Sequence, residues 1–262
     1  MVKKIVGKCY LGLIFVFLYA PILTLIVLSF NASRFRSKWG GFSLKWYGKL
    51  FENEAIMEAF GTTILLALVS AAVATVLGTM AGLAINSMKR IPRVLLMTVT
   101  NIPMLNADIV TGVSLMLLFL VVNYTIGFSS VLLAHITFNL PYVILSVLPK
   151  LRQVNKSTYE AALDLGASGG YAFFKVVLPD IMPGILTGFL LAFTMSLDDF
   201  VITHFTKGPG VDTLSTKIYA EIRKGIKPEM YALSTILFVL VFVLLIFMNR
   251  HKDKQIKEKN IT

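Results

Sequence analysis

Carboxylate side chains inside apolar segments are the groups in this sequence best suited to chemistry. Asp108 interrupts one apolar stretch, and Asp198 and Asp199 lie near the end of another. An ionised carboxylate is costly to place in hydrocarbon, so such a group usually faces a cavity or a partner charge. Thr194 precedes Asp198 by about one helical turn, which predicts one polar stripe, whereas Asp199 points about 100° away. These side chains predict a pathway for a cation.

The spacing of these acids along their segments predicts their depth in a bilayer. At about 1.5 Å per residue, Asp198 lies roughly 25 Å and Asp108 roughly 21 Å from the cytoplasmic start of its span, if any kink is mild. Asn101 and Asp108 share a face if the helix continues through Pro103. This stretch is nevertheless predicted to be kinked or broken. Structural roles stay open, because Asp199 can cap a helix and Asp108 can bond backbone groups at the kink.

The composition is typical of a membrane protein. Hydrophobic residues make up 56% of the 262 residues, which is too apolar for a soluble domain. We predict an all-α polytopic membrane protein with six transmembrane helices in a single domain, residues 1–262. The predicted spans cover about 9–30, 58–86, 94–122, 131–148, 181–203 and 231–248.

Positive residues are distributed unequally between the two sides of the predicted membrane. Six spans place both termini on one side, and fifteen of the 25 Lys and Arg residues fall on that side. Positive-inside bias therefore predicts cytoplasmic termini and a cytoplasmic segment at about 150–180. The net charge of +11 lies in loops and tails, without a basic stripe of interleaved aromatics that would indicate nucleic acid.

Small residues in the second predicted span indicate helix packing. Ala67, Ala71, Gly78 and Gly82 form a stripe that allows another helix backbone to approach closely. His135, inside the fourth span, is expected to be a hydrogen-bonded core residue rather than part of a reactive site.

The sequence lacks the motifs of an enzyme. It has no G-x-x-x-x-G-K-[ST] phosphate loop, H-E-x-x-H motif or G-x-S-x-G elbow, and the single Cys9 excludes a cysteine pair for metal. We predict a non-catalytic chain with no metal site and no cofactor of its own. A membrane enzyme would need a reactive constellation near the interface, and an ion-coupled secondary transporter would more often show inverted repeats.

A polar segment between two apolar runs, residues 158–183, is the most specific feature of the chain. It carries four charged residues and no stretch long enough to span, so it must lie outside the bilayer. Thr158 is predicted to cap a short helix that runs through Leu165. Gly166 would then supply the break before a second short helix that ends near Pro179.

Three groups of residues in this segment are spaced as in the EAA loop of binding-protein-dependent ABC importer permeases. They are Glu160-Ala161-Ala162, Gly166 and Leu178-Pro179. The one small departure is Val176, where the family usually has Ile. The resemblance implies the MetI-like fold of type I ABC importers and a bacterial plasma (inner) membrane location. It also implies that these residues couple the chain to an ATPase.

The same resemblance implies the partners of the chain. The chain would form half of a translocation pathway with a second, homologous permease subunit. A dimer of ATP-binding subunits, which would hold ATP and Mg²⁺, would sit on the cytoplasmic segments. An extracytoplasmic substrate-binding protein would deliver the substrate.

Several further segments resemble the permeases of bacterial spermidine/putrescine importers. They cover residues 19–21, 138–142, 196–202, 214–219 and 225–229. The resemblance implies a polyamine substrate, and a flexible dication or trication suits spaced carboxylates and aromatic faces. Related permeases move iron, thiamine or sulfate, so these substrates stay open.

Overall fold

The fold is known from a computed structural model that describes residues 2–35, 37–224 and 227–259, so Gly225 and Ile226 of the 225–229 segment lie outside the described residues. The helices are, in chain order, α1 (Val2–Ser29), α2 (Lys45–Glu52), α3 (Glu54–Ser87), α4 (Arg90–Leu105), α5 (Asp108–Val121), α6 (Phe128–Gln153), α7 (Lys156–Asp164), α8 (Gly169–Ala172), a π-helical turn (Phe173–Val177), α9 (Leu178–Asp198), α10 (Val201–Thr206), α11 (Leu214–Lys224) and α12 (Pro228–Lys259).

These helices fall into two compact units. One comprises the ranges 1–58 and 217–262, and the other comprises 59–216. In the first unit, α1 and α2 both pack against α12. The second unit contains α4 to α10 and most of α3, and all of the candidate site residues lie in it. That the whole chain is one domain stays a prediction.

Four helices among the described residues are long and apolar enough to cross a membrane. They are Tyr10–Ser29 of α1, all of α3, all of α6, and the continuous helix Gly169–Asp198. The α4–α5 pair passes the same test only together, as a bent span. The apolar part of α12, Pro228–Val243, is shorter. The structure thus gives four or five of the six predicted spans, and the sixth, at about 231–248, stays a prediction.

The third apolar stretch is broken, as the sequence predicts. Asn106 and Ala107 have extended backbones with ψ of 150° and 139°, and the axes of α4 and α5 differ by 106°. Asn101 and Asp108 therefore lie on different helices. The prediction that they share a helical face is wrong, and the 21 Å depth of Asp108 no longer holds because it required a mild kink.

Small residues allow α6 to pack closely against both α3 and α9. A methyl group added at Gly78 of α3 would come within 2.7 Å of the Val143 side chain of α6. A methyl group added at Gly184 of α9 would come within 2.9 Å of the carbonyl oxygen of Ser146. The predicted role of the small-residue stripe on α3 is confirmed at Gly78.

The helix that leads into the fifth predicted span does not end near Pro179. In the π-helical turn the Leu178 N–H donates to the Phe173 carbonyl, five residues back. Pro179, which has no N–H to donate, follows directly after this π-helical turn. One helix continues from Gly169 to Asp198, so it begins before the predicted span of 181–203 and ends before that span does. The membrane boundaries of this span stay a prediction.

Candidate coupling segment and membrane-interior site

Gly166 ends α7 in a backbone conformation that favours glycine. Its φ is +86°, in the left-handed region. The Gly166 N–H donates to the Leu163 carbonyl at 2.9 Å, and the Ala167 N–H donates to the Ala162 carbonyl at 3.0 Å. This pair of bonds is the Schellman motif, which satisfies carbonyl groups at the end of a helix. The predicted break at Gly166 is confirmed.

The start of α7 differs from the prediction. The Asn155 side chain accepts a hydrogen bond from the Ser157 N–H at 3.0 Å, so Asn155 is the N-cap. Thr158 lies inside the first turn and is exposed. Asn and Thr both favour cap positions, so residue type alone does not decide between two candidates three residues apart.

The predicted coupling residues lie on the segment from α7 to the start of α9. Glu160, Ala161, Gly166 and Pro179 are exposed, while Ala162 and Leu178 are partly buried. Leu165 and Tyr171 add exposed apolar surface, at 89% and 60% of their areas. Exposed apolar side chains beside charged ones are typical of a surface that binds another protein.

Two of the predicted pathway carboxylates lie at helix ends. Asp108 is the first residue of α5, and Asp198 is the last residue of α9. Both are exposed, and neither forms an ion pair with a described residue. These carboxylates can therefore receive a cation.

The neutral candidates have more restricted side chains. Thr194 lies on α9 one turn before Asp198, as predicted, and its hydroxyl donates to the Leu190 carbonyl at 2.9 Å. The Oδ1 atom of Asn101 is buried without a hydrogen-bond partner among the described residues. That Thr194, Asn101 and the carboxylates contact the substrate stays a prediction.

Asp199 differs from Asp198 because its side chain already has several partners. Its Oδ1 accepts a hydrogen bond from the Ile202 N–H at 3.2 Å. Its Oδ2 accepts from the N–H and the hydroxyl of Thr203, both at 2.8 Å. Asp199 thus caps the N-terminus of α10, which satisfies N–H groups that have no helical acceptor.

His135 of α6 links this cap to α9. Its Nε2 lies 2.9 Å from the Thr203 hydroxyl and 3.3 Å from Asp199 Oδ2. Because the Thr203 hydroxyl donates its proton to Asp199, Nε2 must carry a proton of its own. Its Nδ1 lies 2.6 Å from the Ser196 hydroxyl. The ring is only 1% exposed, so the prediction of a hydrogen-bonded core histidine is confirmed.

Ser196 extends these contacts to two more residues. Its hydroxyl lies 2.8 Å from that of Ser70 on α3 and accepts from the Asn139 amide at 3.3 Å. We call Ser70, His135, Asn139, Ser196, Asp199 and Thr203 the polar cluster. Sequence reasoning did not find it as a unit, although His135 and Asn139 are four residues apart and share a face of α6.

The family of the chain is shown by sequence comparison. Residues 74–258 match the family described as binding-protein-dependent transport system inner membrane component. The chain belongs to this family and is a permease subunit of an ABC importer. The predicted all-α permease fold and the assignment as a transport subunit rather than an enzyme are therefore confirmed.

Two relatives show which permeases of this family the chain resembles in sequence. The chain is 37% identical over 246 residues to the spermidine/putrescine transport system permease protein PotC of Escherichia coli (strain K12), covering 94% of this chain and 93% of PotC. It is 38% identical to the putrescine transport system permease protein PotI of the same strain, covering 93% of this chain and 91% of PotI. The resemblance to spermidine/putrescine permeases is confirmed as a sequence relationship.

A solved structure supports the same fold. It is a bacterial alginate ABC transporter in complex with an alginate pentasaccharide-bound periplasmic protein, and the match has a TM-score of 0.76. The match covers 97% of this chain and 95% of the other at 20% identity. At that identity the likeness concerns the fold alone.

Proposed function

We propose that this chain forms half of the translocation pathway for polyamines such as spermidine and putrescine in an ATP-driven importer. The observation that carries the proposal is the similarity to PotC and PotI, which extends over more than nine tenths of the chain at 37% and 38% identity. The names of both relatives give polyamines as their cargo.

The carboxylates at the helix ends support a polyamine as substrate. Asp108 and Asp198 are exposed within apolar surroundings and form no ion pair with a described residue. An uncompensated carboxylate in a membrane segment is unfavourable unless it faces water or a cation. Spaced carboxylates can bind the separated ammonium groups of a polyamine in turn.

We infer the assembly from membership of the family. The chain pairs with a second, homologous permease, and two ATP-binding subunits that hold ATP and Mg²⁺ dock on the cytoplasmic side. An extracytoplasmic binding protein delivers the polyamine. Both termini lie in the cytoplasm of a bacterial cell, a topology supported by the excess of Lys and Arg on that side.

The exposed part of the coupling segment is the docking surface for the ATPase. Glu160 and Ala161 lie on the exposed surface of α7, and Gly166 fixes the turn that follows. Leu178 and Pro179 begin α9, which reaches Asp198 without interruption. Movement of the docked ATPase is therefore transmitted along one helix to the proposed pathway.

Uptake of labelled spermidine by cells with and without this chain tests the proposal. We expect uptake to require the chain and to be inhibited by unlabelled putrescine, but not by thiamine, ferric iron or sulfate. Asp198→Asn and Asp108→Asn should each raise the apparent KM about tenfold, because each removes a charge contact with the substrate. Glu54→Gln, at an exposed carboxylate in the first turn of α3, is the matched control.

Other outcomes would assign a different function. Unchanged spermidine uptake without the chain would exclude a polyamine substrate, and inhibition by iron, thiamine or sulfate would identify another solute. Uptake that survives ATP depletion and collapses with a protonophore would indicate a secondary transporter instead.

A further inference from the structure

We propose that His135 and Asp199 are positioning residues that act through Asp198. The polar cluster holds the break between α9 and α10, and this break presents the Asp198 carboxylate to the substrate. The inference rests on the proposed function, since His135 and Asp199 are assigned the role of positioning a carboxylate of the proposed pathway.

Asp198 lies in the chain between two neighbours that are held in place by other helices. Ser196 is buried and bonded to His135, and Leu197 is buried as well. Asp199 is held by α10 and by His135. Of residues 196–199, only Asp198 has an exposed side chain. The orientation of Asp198 is therefore set from both sides by contacts that it does not make itself.

α9 ends because the backbone of Asp199 leaves the helical conformation. Asp199 has a ψ of 123°, whereas a helix requires a ψ near −42°. Its carboxylate instead accepts the N–H groups of Ile202 and Thr203, which begin a new helix. Loss of this cap favours continuation of α9 through Phe200, and the side chain at 198 would then turn with the helix.

His135 helps to stabilise the charge of the buried Asp199 carboxylate. The Asp199 side chain is only 9% exposed, and a carboxylate so buried requires partners that stabilise its charge. His135 supplies an N–H from α6, a different helix, while its Nδ1 fixes the ring to Ser196 of α9. The imidazole ring therefore sets the distance between α6 and the α9–α10 break.

The same contacts separate the tasks of the two acids. Asp199 accepts hydrogen bonds from two backbone N–H groups and a hydroxyl, with His135 beside it, so binding a cation directly would require it to give up these partners. Asp198 has no such partners among the described side chains. Asp198 thus contacts the substrate, and Asp199 holds Asp198 in place.

Two substitutions of His135 separate positioning from general stability. In His135→Gln the side-chain amide nitrogen can reach the position of Nε2 and keep the contact with Thr203 and Asp199. In His135→Asn the amide reaches only the position of Nδ1, so the contact with Ser196 is kept and that with Asp199 is lost. The two variants are equally polar and differ by one methylene group.

We expect His135→Asn to raise the apparent KM for spermidine uptake about tenfold and His135→Gln to stay within about twofold of the unmodified chain, at equal membrane abundance. Combining His135→Asn with Asp198→Asn should raise the KM no further than Asp198→Asn alone, because both act on one contact. Thr137→Val is the control, since the exposed Thr137 hydroxyl bonds only the Leu133 carbonyl of its own helix.

A second measurement does not depend on uptake. In a Cys9→Ser background, Asp198→Cys can be labelled with a positively charged thiosulfonate reagent. Adding His135→Asn should lower the labelling rate about tenfold, because the side chain at 198 then turns away from the pathway. Adding His135→Gln should leave the rate within about twofold. If His135→Asn does not accumulate in the membrane, Thr203→Val replaces it, because that change removes the hydroxyl between ring and carboxylate.

The possible results distinguish this inference from the proposed function. If Asp198→Asn impairs uptake while His135→Asn does not, or if their effects on KM multiply, the positioning role is overturned and the pathway stands. An equal increase in the apparent KM in His135→Asn and His135→Gln also overturns the positioning role. If Asp198→Asn has no effect on uptake, the proposed pathway itself fails.

Discussion

Gly166 and Asp199 each end a helix of this chain, but by different means. Gly166 does so through its backbone, which adopts a φ of +86° without a clash from a Cβ atom. Asp199 does so through its side chain, which binds the N–H groups of the next helix. A single residue thus shapes the turn at each end of the helical path from the coupling segment to Asp198.

Substitution of Gly166 tests the first of these turns. Gly166→Ala forces a Cβ atom into the left-handed conformation, which costs about 1–2 kcal/mol. We expect ATP-driven uptake to fall about tenfold at unchanged membrane abundance. Gly170→Ala is the control, because Gly170 has open space for a Cβ atom and no positive φ. Equal uptake by the two variants would contradict a coupling role for the turn.

Sequence could predict the turn at Gly166 but not the one at Asp199. Glycine readily adopts the left-handed backbone conformation that ends many helices, so its position after a helical segment predicts a helix end. For Asp199 the sequence left open both a cap and a pathway role. The contact with His135, a residue distant in sequence, favours the capping role of Asp199. No local sequence pattern predicts that these two side chains meet.

At the scale of elements, α6 organises the second unit. α9 packs along α6, and Gly78 of α3 and Gly184 of α9 both allow close backbone approach to it. Close approach also allows His135 to reach Ser196 at 2.6 Å. The packing of small residues and the polar cluster therefore depend on one another.

Gly184→Ala tests the importance of this close approach. The added methyl group would lie 2.9 Å from the Ser146 carbonyl oxygen, so α9 must shift away from α6. We expect a loss of about 1–3 kcal/mol of stability, typical of overpacking, seen as a lower melting temperature of the purified protein. Gly61→Ala, in α3 with nothing within 4 Å, should be neutral or stabilising. A melting temperature unchanged by Gly184→Ala would contradict the tight contact.

Hydropathy predicted where most of the helices lie, yet it did not predict how they end. Apolar runs identify membrane-length helices because the bilayer demands them. The end of α9 at Asp198 arises from the cap that Asp199 forms on α10 and from its contact with His135 of α6. Such contacts are not encoded in the polarity of one segment.

At the scale of the whole molecule, the polar segment of about 150–180 is predicted to lie on the side of the membrane where the partner ATPase hydrolyses ATP. It is predicted to share that side with both termini, because positive residues concentrate there. The motif spacing of this segment predicted the family correctly. The substrate could be predicted only through resemblance, since exposed carboxylates fit many cations.

Cysteine labelling in a Cys9→Ser background tests this topology. Leu165→Cys, at a position that is 89% exposed, should react with a membrane-impermeant maleimide only after the cells are opened. Trp39→Cys, at a position that is 55% exposed in the loop after α1, should react in intact cells. The reverse pattern would show that the orientation is inverted.

The continuous helix Gly169–Asp198 has a mechanical consequence. At about 1.5 Å per residue, its 30 residues form a rod about 45 Å long, with the coupling segment at one end and the Asp198 carboxylate at the other. A tilt of about 5° around its centre displaces each end by about 2 Å in opposite directions, enough to make or break a hydrogen bond. If the coupling segment binds the ATPase as proposed, this helix can transmit the movement to Asp198 without a flexible joint.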